Sequence, residues 1–244
     1  GAMNLHGHLV YSGIEYGSDE ANEFIDAFFT ALNYYSIKTS MLIAMERKET
    51  FYNYEKSEYA SGDYFTGYLI KELELSEKSL EALGNIPIIT SDMWKELSGQ
   101  VAEHGLYHSY RLAIAPTGSI SYVRSCSASI SPVTERVEVR DYADSRTIYP
   151  MPFLTNDNSH LYTEAYNMDM YKMIDSYAVA QQHVDQGISM TLYVTDEWDT
   201  EQLAKLYIYA WLKGIKTVYY VRQRMSTADG LVEKSIAECA SCTI

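Results

Sequence analysis

Three cysteines among 244 residues are too few, and odd in number, for a disulfide-stapled secreted domain, and they point to a reducing cytoplasm. No apolar run approaches the ~18 residues that make a membrane span. The start, Gly1 to His6, lacks a basic stretch followed by an apolar one, so no signal peptide is expected. Gly1-Ala2-Met3 reads as a cloning remnant. Basic residues are scarce: 19 Lys and Arg stand against 33 Asp and Glu, a formal net charge of −14. Such a surface repels the phosphate backbone, so nucleic acid is not an expected partner. A small anion held by a local site remains compatible with it. There is no internal repeat, no low-complexity segment and no Walker loop.

What is present is an ordinary globular composition, 47% hydrophobic and 21% charged, long enough for one sizeable core or two small ones. Ser18 to Lys48 reads as a long helix, capped by Ser18 or Asp19, with Phe24, Phe28 and Leu32 on one buried stripe. Residues 50–89 read as loops and short helices. Thr90 or Ser91 starts a helix that runs to His104 and stops at Gly105. Arg111 to Ala115 suits a buried strand, and Val137 to Arg140 a weak one. Tyr149 to Pro152 reads as a rigid connector. Helical patterns fill residues 159–186, Ile188 to Val194 is a strand, and Asp199 or Thr200 caps a helix through Leu212. Ile215 to Val221 is the last strand, and the remainder is polar and without period. Strand, helix and strand joined by short loops form the grammar of parallel α/β architecture.

Three constellations can carry chemistry. In Pro116-Thr117-Gly118-Ser119-Ile120, Gly118 permits close backbone approach and two hydroxyls flank it. A helix starting there offers free N–H groups to an anion without any basic residue, but taken alone so short a motif reads first as an ordinary helix start. Cys239 and Cys242, two residues from the end, have the spacing of a zinc pair or a redox dithiol, and two chance cysteines in a tail have it too. Cys239 lies 19 residues beyond Tyr220. That tether reaches roughly 60 Å when extended and about 25 Å as a coil. Tyr219 and Tyr220 are adjacent in a strand, where neighbouring side chains face opposite sides unless the strand kinks; simple packing accounts for them as well. Cys126 suits a small buried residue. His183-Val-Asp185-Gln186 reads as structural before catalytic. His6 with His8, and His104 with His108, have metal-compatible spacings but lack a third ligand, so no metal site is assigned.

Taken in order, Ala115 to Ser119, Tyr149 to Phe153, His183 to Gly187, Gly214 to Tyr220 and Cys239-Ala-Ser-Cys242 resemble the C-terminal third of the large subunit of class Ib ribonucleotide reductases. Asn4 to Leu9 fits the same alignment, so the resemblance covers the chain after residue 3. It implies the second half of a ten-stranded α/β barrel with surrounding helices. Residues 4–110 would form a mainly helical portion, 111–224 an α/β portion, and 225–244 a mobile redox tail. It implies that Pro116, Thr117, Gly118, Ser119 and Ile120 bind the diphosphate of a ribonucleoside diphosphate. Tyr219 and Tyr220 would carry the radical in from a small subunit, Tyr219 nearer the radical cysteine. Cys239 and Cys242 would re-reduce an active-site disulfide and be recharged by a thioredoxin- or glutaredoxin-like protein.

The family's radical cysteine and active-site reducing cysteines precede the region present here, and Cys126 aligns with none of them. The resemblance therefore implies a split subunit or an expressed fragment that reduces no nucleotide alone and needs an N-terminal large-subunit part. It implies no cofactor in this chain, the dinuclear metal and radical being on the small subunit. Two other classes stay open from the residues themselves: a non-enzymatic thiol-exchange adaptor and a zinc-dependent binding module.

Overall fold

The computed structural model describes residues 2–142, 145–227 and 230–233. After α1 (Leu5–Tyr11), the chain enters α2 (Asp19–Arg47), the longest helix described. The Ser18 hydroxyl accepts the Ala21 N–H at 3.1 Å, and Asp19 and Glu20 sit in the positive first turn. At 1.5 Å per residue α2 is about 43 Å long. It is buried along most of that length and serves two cores. Its first half, with Phe24, Ile25 and Phe29, packs into the larger core; its second half, with Tyr34, Ile37 and Met41, packs into a separate one.

The second core belongs to a helical lobe. Short helices α3 (Glu58–Ser61), α4 (Thr66–Ile70) and α5 (Glu77–Leu83) lead to α6 (Ser91–His104). Thr90 caps α6, and Gly105 stops it at φ 73°. Trp94, buried on α6, takes the Tyr68 ring in a stack 4.1 Å between centroids.

The α/β section follows. Helix α7 (Gly118–Val123) precedes an antiparallel hairpin of β1 (Val137–Tyr142) and β2 (Ser145–Pro150). Then come α8 (Met170–Gln181), β3 (Met190–Thr195), α9 (Thr200–Leu212), β4 (Val218–Thr227) and β5 (Gly230–Glu233). β3 pairs in parallel with β4, and β4 pairs antiparallel with β5. β3 is buried on both faces, as a strand covered by helices requires. Asp199 caps α9 with a complete capping box, its side chain accepting the Gln202 N–H at 2.7 Å.

This α/β arrangement agrees with the sequence reading, with four local differences. Arg111 to Ala115 runs beside residues 186–189 but joins the sheet by a single parallel bridge, Ile114 to Ile188. Its neighbours Arg111 and Leu112 give their N–H groups to the Asp185 carboxylate instead of to a strand. Tyr149 and Pro150, expected in a connector, end β2 opposite Glu138 and Val137; Pro150 sits at the strand terminus, where a missing N–H is harmless. The helical stretch expected over 159–186 breaks into two short 3-10 turns and α8. β4 extends six residues beyond Val221 to Thr227: β3 pairs with it as far as Arg224, and β5 pairs with Arg224 to Thr227. Among the described residues the strands form a two-stranded and a three-stranded sheet, and no closed barrel.

Candidate functional site

The Pro116–Ile120 turn borders a cleft of about 520 Å³, whose lining includes Pro116, Gly118, Cys126, Tyr219 and Tyr220. Two of the three sequence constellations therefore meet at one place. Thr117 stands at the N-cap position of α7, without a side-chain cap bond, in the left-handed region at φ 52°, a conformation that costs a β-branched residue on the order of 1–2 kcal/mol. Its hydroxyl accepts the Ser129 N–H at 2.7 Å and keeps its own proton to donate. Ser125 and Ser129 share the left-handed conformation, so strain is concentrated on both sides of α7. The first helical hydrogen bond of α7 runs from the Ser121 N–H to the Thr117 carbonyl. The N–H groups of Gly118, Ser119 and Ile120 precede it. A Cβ on Gly118 would meet nothing within 4 Å, so the backbone is open to an incoming group. Ser119 and Ile120 are exposed.

The loop opposite this turn is held from the far end of the chain. Asn4 Oδ1 accepts the Ser127 N–H at 2.9 Å, and the Asn4 N–H donates to the Ser127 carbonyl at 2.9 Å. The sequence placed Asn4 in the alignment but gave it no role. Cys126 sits in this loop, half-buried, and burial pushes its thiol up, against a smaller opposing pull from Arg124. A thiol held protonated is a weak nucleophile.

Tyr219 and Tyr220 do not face opposite sides. Met190 pairs with Val218 and Thr191 with Tyr220, so Tyr219 is an extra residue in β4. This β-bulge breaks the alternation of the strand and turns both rings towards the cleft. Their centroids lie 4.2 Å apart with the planes tilted by 54°. Tyr219 is 48% exposed. The sequence offered no signal for the bulge.

Two buried tyrosines, Tyr177 and Tyr16, bond to the loop that carries Ser131, a lining residue of the cleft. Tyr177 and Ser131 share a hydrogen bond of 2.7 Å, and the Tyr16 hydroxyl donates to the Ile130 carbonyl at 2.8 Å. Burial pushes both phenols well above their ordinary range. They stay protonated and inert to acid–base chemistry near neutral pH.

The histidines fall apart as candidate ligands. His6 is buried, its Nδ1 accepting the Val133 N–H at 3.0 Å, while His8 reaches the Ala82 carbonyl. His108 contacts Ser40, and His104 lies beside Glu103. His183 Nδ1 faces the Tyr68 hydroxyl at 2.9 Å, and its Nε2 faces Asp26 at 2.8 Å. One neutral tautomer, protonated on Nε2, satisfies both contacts. Asp185 pairs with the buried Arg111 guanidinium at 3.4 Å. His183 thus ties the α/β section to α2 and the helical lobe, and the Asp185-paired Arg111 adds a second tie through the Tyr59 hydroxyl. Among the described residues no group of three or more His, Cys, Asp or Glu is placed to hold a metal ion, and no helix is long and apolar enough to cross a membrane. Cys239 and Cys242 lie outside the described residues.

Residues 1–221 match the family described as "Ribonucleotide reductase, barrel domain". The chain is 48% identical over 245 residues to the ribonucleoside-diphosphate reductase subunit alpha of Bacillus subtilis (strain 168), covering all of this chain and 34% of that protein. It is 40% identical over 254 residues to the subunit alpha of Mycoplasma pneumoniae, covering 100% of this chain and 35% of that protein. Against the subunit alpha of Treponema pallidum the identity is 30% over 231 residues, 94% of this chain and 25% of that protein. The chain spans about a third or less of the length of these relatives.

Proposed function

Because the chain belongs to the ribonucleotide reductase barrel-domain family, we propose that it is the C-terminal part of a class Ib large subunit, the second half of a ten-stranded α/β barrel. In this reading it reduces ribonucleoside diphosphates by radical chemistry once an N-terminal large-subunit part and a radical-generating small subunit complete it. The dinuclear metal belongs to the small subunit, and the location is cytoplasmic.

Each part of the cleft has a task in this reading. The N–H groups at the start of α7 and the Thr117 and Ser119 hydroxyls hold the substrate diphosphate, which explains how a chain of net charge −14 binds an anion without a lysine or arginine in the turn. Tyr220 receives the oxidising equivalent and Tyr219 passes it on. A phenol, neutral beforehand with an ordinary pKa near 10, gives up its electron and proton together. Cys239 and Cys242 return electrons to the active-site disulfide by thiol exchange with a thioredoxin- or glutaredoxin-like reductant.

The observation that supports this best is that the Tyr219–Tyr220 bulge and the Pro116–Ile120 turn share one cleft. Replacing Thr117 and Ser119 by alanine tests it. A reconstituted reductase loses affinity for the diphosphate, whereas a chain acting only by thiol exchange keeps its full exchange rate.

A further inference from the structure

A phenol is oxidised easily only when its proton has somewhere to go as the electron leaves. The acceptor of a tyrosine hydroxyl therefore decides whether its ring can hold a radical. The Tyr16 hydroxyl donates to the Ile130 carbonyl and the Tyr162 hydroxyl to the Pro152 carbonyl at 2.6 Å; Tyr177 is bonded to the Ser131 hydroxyl. Amide carbonyls and alcohols are not bases at neutral pH. Oxidising these three rings would strand a proton in a buried place.

Tyr122 differs. It is half-buried on α7 and lines the same cleft as Tyr219 and Tyr220. Its hydroxyl donates to the Glu138 Oε2, a carboxylate that also lines the cleft. The hairpin positions this contact: Glu138 on β1 is directly opposite Tyr149 on β2, and the Tyr149 ring lies 5.1 Å from the Tyr122 ring. Tyr122 is seated on one cross-strand pair that supplies a proton acceptor and a packing surface together.

We propose that Tyr122 is a third oxidisable tyrosine of this cleft, with Glu138 as its proton acceptor, and that it serves as a side station for the oxidising equivalent carried by the Tyr219–Tyr220 pair. This rests on the radical-transfer reading of that pair. In the step, the Tyr219 phenoxyl takes one electron from Tyr122. The Tyr122 phenolic proton moves to Glu138 Oε2 along the existing hydrogen bond. The reduced Tyr219 oxygen takes a proton from water, which its exposure permits. No bond between heavy atoms forms or breaks, and the reverse step returns the equivalent to the pair. Tyr209 provides an internal control. Its hydroxyl also donates to a carboxylate, Asp175, at 2.8 Å, but on the α8–α9 surface outside the cleft.

The test uses the whole 244-residue chain. A ruthenium polypyridyl complex with persulfate, pulsed by light, replaces the small subunit as oxidant. A nitroso spin trap marks the tyrosyl radicals, and peptide mass spectrometry locates the adducts. Labelling is expected at Tyr122 and falls roughly tenfold or more in Glu138→Gln, which keeps an acceptor oxygen but removes the base. Glu138→Asp restores part of it, and Tyr209 labelling does not change. A Tyr219→Phe/Tyr220→Phe double variant also lowers labelling at Tyr122. Unchanged Tyr122 labelling in Glu138→Gln, with circular dichroism and Tm like the parent, overturns the assignment of Glu138. Unchanged labelling in the double variant overturns the side-station role. A reconstituted reductase that keeps full turnover as Tyr219→Phe would instead overturn the radical-transfer reading itself, and it leaves the Tyr122–Glu138 labelling result standing.

Discussion

The rings of Tyr219 and Tyr220 meet at 4.2 Å because Tyr219 is the bulged residue of β4, opposite no residue of β3. In a regular strand the two side chains would point apart. Substituting either ring by phenylalanine keeps the packing and removes the oxidisable hydroxyl. Stability is expected to change by no more than about 0.5 kcal/mol, because both rings are partly exposed. Turnover of the reconstituted reductase is expected to fall by about 10³-fold or more, roughly 4 kcal/mol of transition-state stabilisation. Paired thermal melts and steady-state assays of each variant check this.

Thr117 joins the α7 turn to the loop that carries Ser129. Thr117→Val retains the β-branched shape and the left-handed strain but removes the acceptor of the Ser129 N–H. The buried N–H loses its partner, at a cost of about 1–3 kcal/mol. Chemical denaturation measures that loss. Isothermal titration of the reconstituted large subunit with a nucleoside diphosphate is expected to show weaker binding as well.

Arg111 and Asp185 are both nearly buried in their side chains, and Asp185 also holds the Arg111 and Leu112 N–H groups. The Arg111 guanidinium further donates to Tyr59 at 2.9 Å and lies over its ring, 5.0 Å from the centroid. Arg111→Ala leaves a carboxylate buried without its counter-charge and is expected to cost about 3–5 kcal/mol. Arg111→Met, which fills the volume, leaves the same charge unpaired and rescues little. Urea titration of both variants distinguishes this from simple loss of packing, for which methionine would restore most of the stability.

Acid should destabilise the fold from near pH 6.5 downwards. Burial lowers His6 from 6.5 to about 4, against a smaller upward pull from the Leu161 carbonyl. Burial also lowers His183, outweighing the raising effect of Asp26. Both folded values lie below the unfolded one, so the unfolded chain binds protons first as pH falls. Their contribution is complete above about pH 6.5 and is lost on the way down; for His6 the loss reaches about 3 kcal/mol by pH 4. Asp26 adds to the loss at lower pH. Burial pushes its carboxyl up, but hydrogen bonds from His183 and Lys71 outweigh that and hold it below its ordinary value. Tm measured from pH 7 to 4 is expected to fall steadily, and His6→Asn to start lower but slope less.

Helices α2, α6 and α9 were legible in the sequence because their ends carry local chemistry: Ser18, Thr90 and Asp199 as caps, and Gly105 and Gly214 as stops at positive φ. The Pro116–Ile120 turn was legible for the same reason. What was not legible depends on partners distant in the chain. The bulge at Tyr219 exists only in register with β3. Tyr149 joins a strand only because Glu138 lies opposite it. Arg111 to Ala115 was expected as a full strand, but the Asp185 carboxylate takes the N–H groups that a neighbouring strand would have used. Gly187 lets the backbone pass Thr217, where a Cβ would come within 2.7 Å of the hydroxyl. The roles of Asn4 and Glu138 likewise required the fold.

The most direct measurement is reduction of a ribonucleoside diphosphate by this chain alone and after completion. The chain is expected to give no deoxynucleotide alone or with a small subunit only. Turnover is expected once an N-terminal large-subunit part, the small subunit and a dithiol reductant are all present, and it is lost again in Tyr219→Phe. Turnover by the isolated chain, or a completed enzyme indifferent to Tyr219→Phe, would contradict the account.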